Sequence, residues 1–544
     1  MYDPATMPRL LSKGNRHRLI LCNDGGTLVG PTEEAPMGAD GLARLTIDPL
    51  VDTMIDTLYW QLGTDPYLST PQSRFTDIYS HRTEVAPIWG AQDKTFTTSG
   101  NWRIYENTRQ LMEQGTDPPT VIIERGKKAG LEVFLSMRVN DIHDGVINVD
   151  YPQFLSPTKI SHPEWLLGPT DNPLYDERLT GLSRYAYNFA IKEVRDYKLA
   201  IATEAIEKYD LDGLDWDFCR SLRFFTKGES EKNADLMTEL VGNLRRALDA
   251  KAARIGRPLL LSVRVPPTFD LAMPFGLDVK SWIEEGLIDI LVAGVAHCSS
   301  FRVPVEGFVE ATQNTSTKVI AQNLGLAWPG RPQSASVIWN EPRLYTDEMC
   351  RASASTYWRA GVDGIYLWNN QLIPFAHSLA YSRQPWKELA DPEGMSRRNK
   401  HYLVDYPWQL EVLKNELGSY TAYPGPLPVN LGSPCDQITV RVDISDDLEV
   451  AANASILDEV ILRVLIVHLT SQDYVEIFIN DQLVDMQTAD KHILYNDCWL
   501  EFKMKDGFIK QGWNDVRVAV KERNPHVSAP LILYSVEVLV KYLE

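Results

Sequence analysis

The chain has 544 residues, a formal charge of −19, 44% hydrophobic and 23% charged residues. That is an ordinary globular composition, which excludes collagen-like, coiled-coil and disordered classes. The length allows two to four domains, or one large barrel with an addition. The acidic balance argues against a polyanion-binding surface, so no nucleic-acid partner is expected, although a small anionic ligand held by a few buried arginines is compatible with it. The six cysteines are Cys22, Cys219, Cys298, Cys350, Cys435 and Cys498, none in a C-x-x-C pair. Their scatter fits reduced thiols better than a disulfide framework or a zinc ribbon, and the expected setting is cytoplasmic. No apolar stretch has signal-peptide or membrane-spanning character, so no membrane partner is expected.

From Arg18 onward, short apolar runs alternate with helix-like stretches. The strand-like runs are RLILCND (18–24), DTLYWQLG (56–63), LEVFLSMRVND (131–141), LDGLDWDF (211–218), PLLLSVRVP (258–266), IDILVAGVAH (288–297), TKVIAQNLGL (317–326) and DGIYLWNN (363–370). Helical spacing is clear in residues 193–209 and 234–256. Near-continuous apolar strands alternating with helices indicate a parallel sheet covered on both faces. Eight such units fit a (β/α)8 TIM barrel spanning residues 1–400. The alternative, an open doubly wound sheet, lacks a G-x-G-x-x-G after the first strand. Segments 64–118 and 145–185 are aromatic- and polar-rich and read as long loops over the C-terminal mouth. Residues 401–430 read as a proline-dotted linker. From 431 to 544 the runs QITVRVDI, EVILRVLIVHL, YVEIFINDQLV, WLEFKMK, DVRVAVKER and APLILYSVEVLVKYL read as a C-terminal all-β sandwich or jelly roll, without a long helix.

The densest chemical signal is the fourth run. Side chains alternate along a strand, so Leu214, Trp216 and Phe218 share one face and Gly213, Asp215, Asp217 and Cys219 the other. Inward carboxylates near the C-terminal end of a barrel strand are costly unless paired or wet, and catalytic groups in this fold come from that end. Asp217 and Asp215 are therefore the first catalytic candidates; a structural pair bonded to arginines is the alternative. Asp212 reads as a loop-to-strand residue. The third run offers Ser136, Arg138 and Asn140 on one face, and the fifth Ser262 and Arg264. Two inward guanidiniums would flank the aspartates, holding a carboxylate ionised or binding an acidic or sulfated group.

Further candidates lie at strand ends. They are Asn23 and Asp24 after the first run, Asp141, His143 and Asp144 after the third, Asp270 after the fifth and His297 after the sixth. Gln322 and Asn323 follow the seventh, and Tyr366, Trp368 and Asn370 the eighth. Aromatic faces beside amides and carboxylates suit a sugar, with Trp368 and Tyr366 as stacking platforms. Asp24, Asp141, His143, Asp217 and His297 would have to converge to hold a metal. With no H-x-H on the first strand and no H-E-x-x-H, neither metal nor cofactor is expected. Cys22, Cys219 and Cys298 read as small packing residues rather than nucleophiles.

The blocks SMRVNDIHD, YDLDGLDWDFCR, SVRVP, GLDVKSWIEEGLID and RAGVDGIYLWN resemble bacterial family-10-like glycosyl hydrolases over residues 18–400. The resemblance implies a (β/α)8 barrel and glycoside hydrolysis. DGLDWDFC is also similar to the α-galactosidase strand that ends in its nucleophilic aspartate, which falls on Asp217. It resembles the chitinase DGxDxDxE motif as well, matching Asp212, Asp215 and Asp217, with Cys219 where that motif has its acid glutamate. Glycoside hydrolysis needs two carboxyl groups across the scissile bond. Asp217 is the expected nucleophile or general base, and Asp141 or Asp270 the acid from across the mouth. Asp24, Asn23, Arg138, Asn140, His143, Arg264, His297, Gln322, Tyr366, Trp368 and Asn370 are the expected substrate contacts. The expected partner is a carbohydrate; a non-catalytic carbohydrate-binding barrel and a metal-dependent hydrolase or lyase are the alternatives. A homo-oligomer is compatible with the sequence.

Overall fold

The structure is a computed structural model that describes residues 17–29, 37–62, 107–108, 110–141, 157–168, 185–219, 222–226, 228–294, 301–323, 326–327, 343–368, 382–404, 427–494 and 497–543. Eight parallel strands close into a barrel in chain order. They are β1 (Leu19–Asn23), β2 (Thr57–Gln61), β3 (Glu132–Arg138), β4 (Gly213–Asp217), β5 (Leu260–Val265), β6 (Ile290–Ala293), β7 (Lys318–Asn323) and β8 (Gly364–Trp368). Apart from Glu132, which opens β3, every residue of these strands is buried. That is the reason their sequences read as unbroken apolar runs rather than as alternation.

Each connection carries a helix: α1 (Ala39–Thr46), α2 (Pro118–Lys128), α3 (Lys192–Lys208), α4 (Ala234–Ile255), α5 (Val279–Glu284), α6 (Glu306–Thr312) and α7 (Asp347–Ala360). Their ends follow local chemistry. The Asp117 carboxylate accepts from the Thr120 amide ahead of two prolines at the start of α2. Along α4, Met237, Leu240, Val241, Leu244 and Leu248 are buried at helical spacing.

The chain divides into two compact units, one containing the barrel strands and the other residues 382–544 with the segments 298–303 and 325–361. Among its described residues the second unit is all-β apart from α7, the short helix Leu448–Asn453 and turns. One antiparallel sheet is ordered β9 (Lys400–Leu403), β18 (Leu531–Tyr542), β12 (Leu457–Val467), β16 (Asp497–Lys503) and β15 (Asp490–Leu494). In this sheet β10 (Val429–Leu431) also pairs with β18. The other sheet is β11 (Gln437–Ile444), β17 (Gly512–Glu522), β13 (Tyr474–Ile479) and β14 (Gln482–Leu483). Lys400–Leu403 and Val429–Leu431, which border the segment read as a linker, are thus both strands on β18. A one-and-a-half-turn helix, Leu448–Asn453, interrupts the strand series.

The sandwich interior is aliphatic, with Val440, Val442, Leu462, Val464, Ile477, Leu500, Val518 and Val538 all buried. Its buried charges are matched. Asp446 accepts from Lys400 and Tyr542, each at 2.6 Å. Glu537 meets His401 at 2.8 Å, Ser535 at 3.1 Å and Arg463 at 3.2 Å. Among the described residues, no helix is long and apolar enough to cross a membrane.

Candidate active site

The register of neighbouring strands closes on the stagger expected of an eight-stranded parallel barrel, in which alternate strands contribute to one interior layer. The lower layers are conventional: Ile20, Phe134, Ile290 and Ile320 fill them. Gly213 is needed here, because a Cβ would come within 2.2 Å of the Phe134 ring that crosses it. Toward the strands' C-terminal ends the filling becomes polar. Tyr59, Asp215, Val292 and Tyr366 form one layer, and Cys22, Ser136, Arg264 and Gln322 the next. Above them lies a layer of Gln61, Asp217, Gly294 and Trp368.

Asp215 is fully buried and takes hydrogen bonds from both flanking serines, Ser136 at 2.7 Å and Ser262 at 2.8 Å. Burial and the neighbouring Asp217 charge push its carboxyl up to about 7, against the opposing pull of the two hydroxyls and Arg264. Asp217 is held differently. The Arg264 guanidinium grips it with a fork, Nε to Oδ1 at 3.0 Å and Nη2 to Oδ2 at 2.7 Å. The Cys219 amide adds a third donor to Oδ1 at 3.0 Å. Arg264 is wholly buried, spends Nη1 on the Gln322 carbonyl at 2.9 Å, and lies 5.3 Å over the Trp368 ring. Gly294 makes this possible, since a Cβ there would come within 2.0 Å of Gln322 Oε1.

A second guanidinium stands beside the first. Arg138 pairs in register with Asp217, and bridges Asp141 at 3.0 Å and Asp24 at 3.3 Å. It is held charged against the penalty of burial by Asp141, Asp24 and Asp217. Asp24, Arg138, Asp141, Asp217, Arg264, Gln322 and Trp368 are therefore one connected group at the C-terminal ends of six strands and their following turns.

Other expected contacts have different work. Asn140 uses its amide on backbone, donating to the Tyr187 and Arg223 carbonyls and accepting from the Tyr187 amide at 2.9 Å, so it ties two loops to β3. Asn23 is spent on Thr27 and the Gly25 amide, closing the turn after β1. Tyr366 is fully buried two layers below Asp217, 5.8 Å from the Tyr59 ring, where no sugar can stack on it. Trp368 is also buried, with Arg264 over its ring. Asp270 is exposed in the first turn of Phe269–Ala272. Asp212 accepts from the Val133 amide and Arg257 at the start of β4, the loop-to-strand role expected of it. Burial pushes the Cys22 and Cys219 thiols well up, which suits packing rather than nucleophilic attack. His143, Asp144, His297, Cys298 and Asn370 lie outside the described residues, as does most of both expected mouth loops. Gln61 was not anticipated; the available signal was its place two residues after Tyr59 at the C-terminal end of β2.

No family model matches the chain, and no curated protein matches it. Similar solved structures include a chitinase from Bacillus thuringiensis, 9% identical, with 96% of this chain and 100% of that one covered at a TM-score of 0.37. A glycoside hydrolase family 18 N-acetylglucosaminidase from Paenibacillus barengoltzii is 12% identical, with 69% and 98% covered and a TM-score of 0.35. A cycloisomaltooligosaccharide glucanotransferase from Paenibacillus sp. is 9% identical, with 96% of this chain covered and a TM-score of 0.33; this chain spans 57% of its length.

Proposed function

We propose that the protein is a glycoside hydrolase acting at the C-terminal mouth of its barrel. The observation that carries this reading is Asp217, a carboxylate fixed by the Arg264 fork in the polar layer at the strand ends, beside the Asp24–Arg138–Asp141 cluster. Barrel interiors are normally filled by branched aliphatics, so a buried polar layer at this end marks a site rather than a core. A fixed carboxylate stabilises an oxocarbenium-like transition state, either by forming a covalent glycosyl intermediate or by activating water. Arg264 orients Asp217 as its partner in the fork. Asp215, fully buried beneath it and bonded to Ser136 and Ser262, is given a structural role rather than contact with substrate. Asp141 and Asp270 are the proposed sources of the acid proton. The carboxylate partners of Arg138 and Arg264 leave an acidic or sulfated glycan without support, and a neutral sugar fits the cluster better. A cytoplasmic setting is part of the proposal, consistent with five free cysteines among the described residues.

The second reading is a non-catalytic carbohydrate-binding barrel. It is favoured by the full occupation of both oxygens of Asp215 and Asp217 by protein donors. Hydrolysis of an array of aryl glycosides and acidic oligosaccharides separates the two. Turnover by the native protein that Asp217→Ala loses establishes the enzyme. Binding of a sugar without turnover, unaffected by Asp217→Ala, establishes the binding protein.

A further inference from the structure

Gln61 ends β2 and is 1% exposed. Alternation places it on the interior side with Tyr59, whose ring stacks on Phe134 at 4.8 Å and meets Tyr366 inside the barrel. Among the described residues, neither Oε1 nor Nε2 of Gln61 has a hydrogen-bond partner. Nearly all buried polar atoms are bonded, and an amide with both ends open weakens the fold unless something else completes it. Gln322 repeats the pattern in part: its Oε1 serves Arg264, and its Nε2 has no partner among the described residues. The layer geometry gives the open amide a neighbourhood. Gln61 shares its layer with Asp217 and Trp368, and opposite it stands Gly294, the one position there without a side chain.

We infer that Gln61 is a substrate-contacting, specificity-determining residue of the barrel site. It takes two neighbouring hydroxyls of the sugar ring presented to Asp217, an assignment that rests on the glycosidase reading. A carboxamide offers a donor and an acceptor on one edge, and adjacent hydroxyls each donate and accept, so one amide satisfies both. Being neutral, the amide adds no charge beside Asp217, which is already paired with Arg264 from the layer below. The Gln322 amino group supplies a further donor from β7.

The test replaces Gln61 by the similarly sized apolar Met. A residue needed for folding would lower the melting temperature when changed. A residue kept for substrate leaves it unchanged or raises it, because an unsatisfied amide has been removed. The expected result is an unchanged or higher melting temperature, with kcat/KM on the best aryl glycoside of the array reduced about ten- to a hundredfold. On the series of singly deoxygenated forms of that glycoside, native protein should lose rate at two adjacent positions. Gln61→Met should treat those forms and the parent alike. A variant that melts several degrees lower or fails to fold, or one with unchanged kcat/KM, overturns the inference. If native protein turns over nothing in the array, glucose, galactose, mannose and N-acetylglucosamine serve as binding probes. A rise in melting temperature with one of them that Gln61→Met abolishes sustains the contact while the hydrolase reading fails. No rise with any of the four overturns the contact as well.

Discussion

The two interiors of this chain treat buried polar groups in opposite ways. In the β-sandwich the centre is aliphatic, and its buried carboxylates Asp446 and Glu537 are each matched by several donors. In the barrel, polar groups crowd the C-terminal half of the interior, two carboxylates lie on one strand, and two glutamine amides carry unmet hydrogen-bonding capacity. Matched burial is what stability alone requires; unmatched burial at strand ends is what a site requires. On the glycosidase reading, the difference separates the part of the molecule that holds shape from the part that meets a ligand.

Substitutions can break that comparison. Arg264→Met should have the largest effect on stability, because it leaves Asp217 buried without its cation. About 3–5 kcal/mol of unfolding free energy should disappear in a denaturant titration, together with activity. A loss below about 1 kcal/mol would mean Asp217 is better solvated than the fork implies. Ile477→Ala, in the sandwich core, should remove about 2–5 kcal/mol while leaving kcat/KM of the folded protein unchanged. Altered kinetics there would show that the two interiors are not functionally separate.

Asp215 sharpens the comparison through pH. Its folded-state carboxyl lies at about 7 against a reference of 3.8, so the folded protein binds the proton more tightly than the unfolded chain. Below about pH 4 both states carry the neutral acid and its contribution is fully present. As pH rises toward 7 the unfolded state releases the proton first, and stability falls by at most about 1.4 kcal/mol per pH unit. Asp215→Asn should therefore gain stability relative to native protein between pH 4 and 7, read from denaturant midpoints across that range. A relative loss over the same window would show an ionised Asp215. The smallest effect belongs to the exposed Arg441–Asp515 pair on the sandwich at 3.1 Å. Asp515→Ala should change stability by less than about 1 kcal/mol.

Much of the architecture was legible in the sequence because it follows from burial. Strands covered on both faces leave apolar runs, and all eight barrel strands fall within such runs. The amphipathic stretches at 193–209 and 234–256 match Lys192–Lys208 and Ala234–Ile255 closely. Alternation alone gave the inward faces of β3, β4 and β5. It could not say which partner each polar group would choose. Arg138 chose Asp24 and Asp141, Arg264 chose Asp217, and Asn140 chose backbone, because pairing depends on register between strands far apart in sequence. Gln61 carries only a weak sequence signal for the same reason: in TLYWQ it is one polar residue after two aromatics. Its meaning arises only when the closed barrel sets it level with Asp217 and opposite Gly294. The strands Lys400–Leu403 and Asp490–Leu494 are short edge elements whose sequences carry little periodic signal.

The most direct test of the barrel as a glycosidase site compares native protein with Asp217→Asn for both turnover on the glycoside array and melting temperature. Asparagine keeps the shape of the side chain and removes the charge that faces Arg264. The expected result is hydrolysis of at least one glycoside by native protein, reduced about a thousandfold or more in a variant that remains folded. Equal turnover by the two folded proteins would contradict the account and move the catalytic carboxylates away from β4.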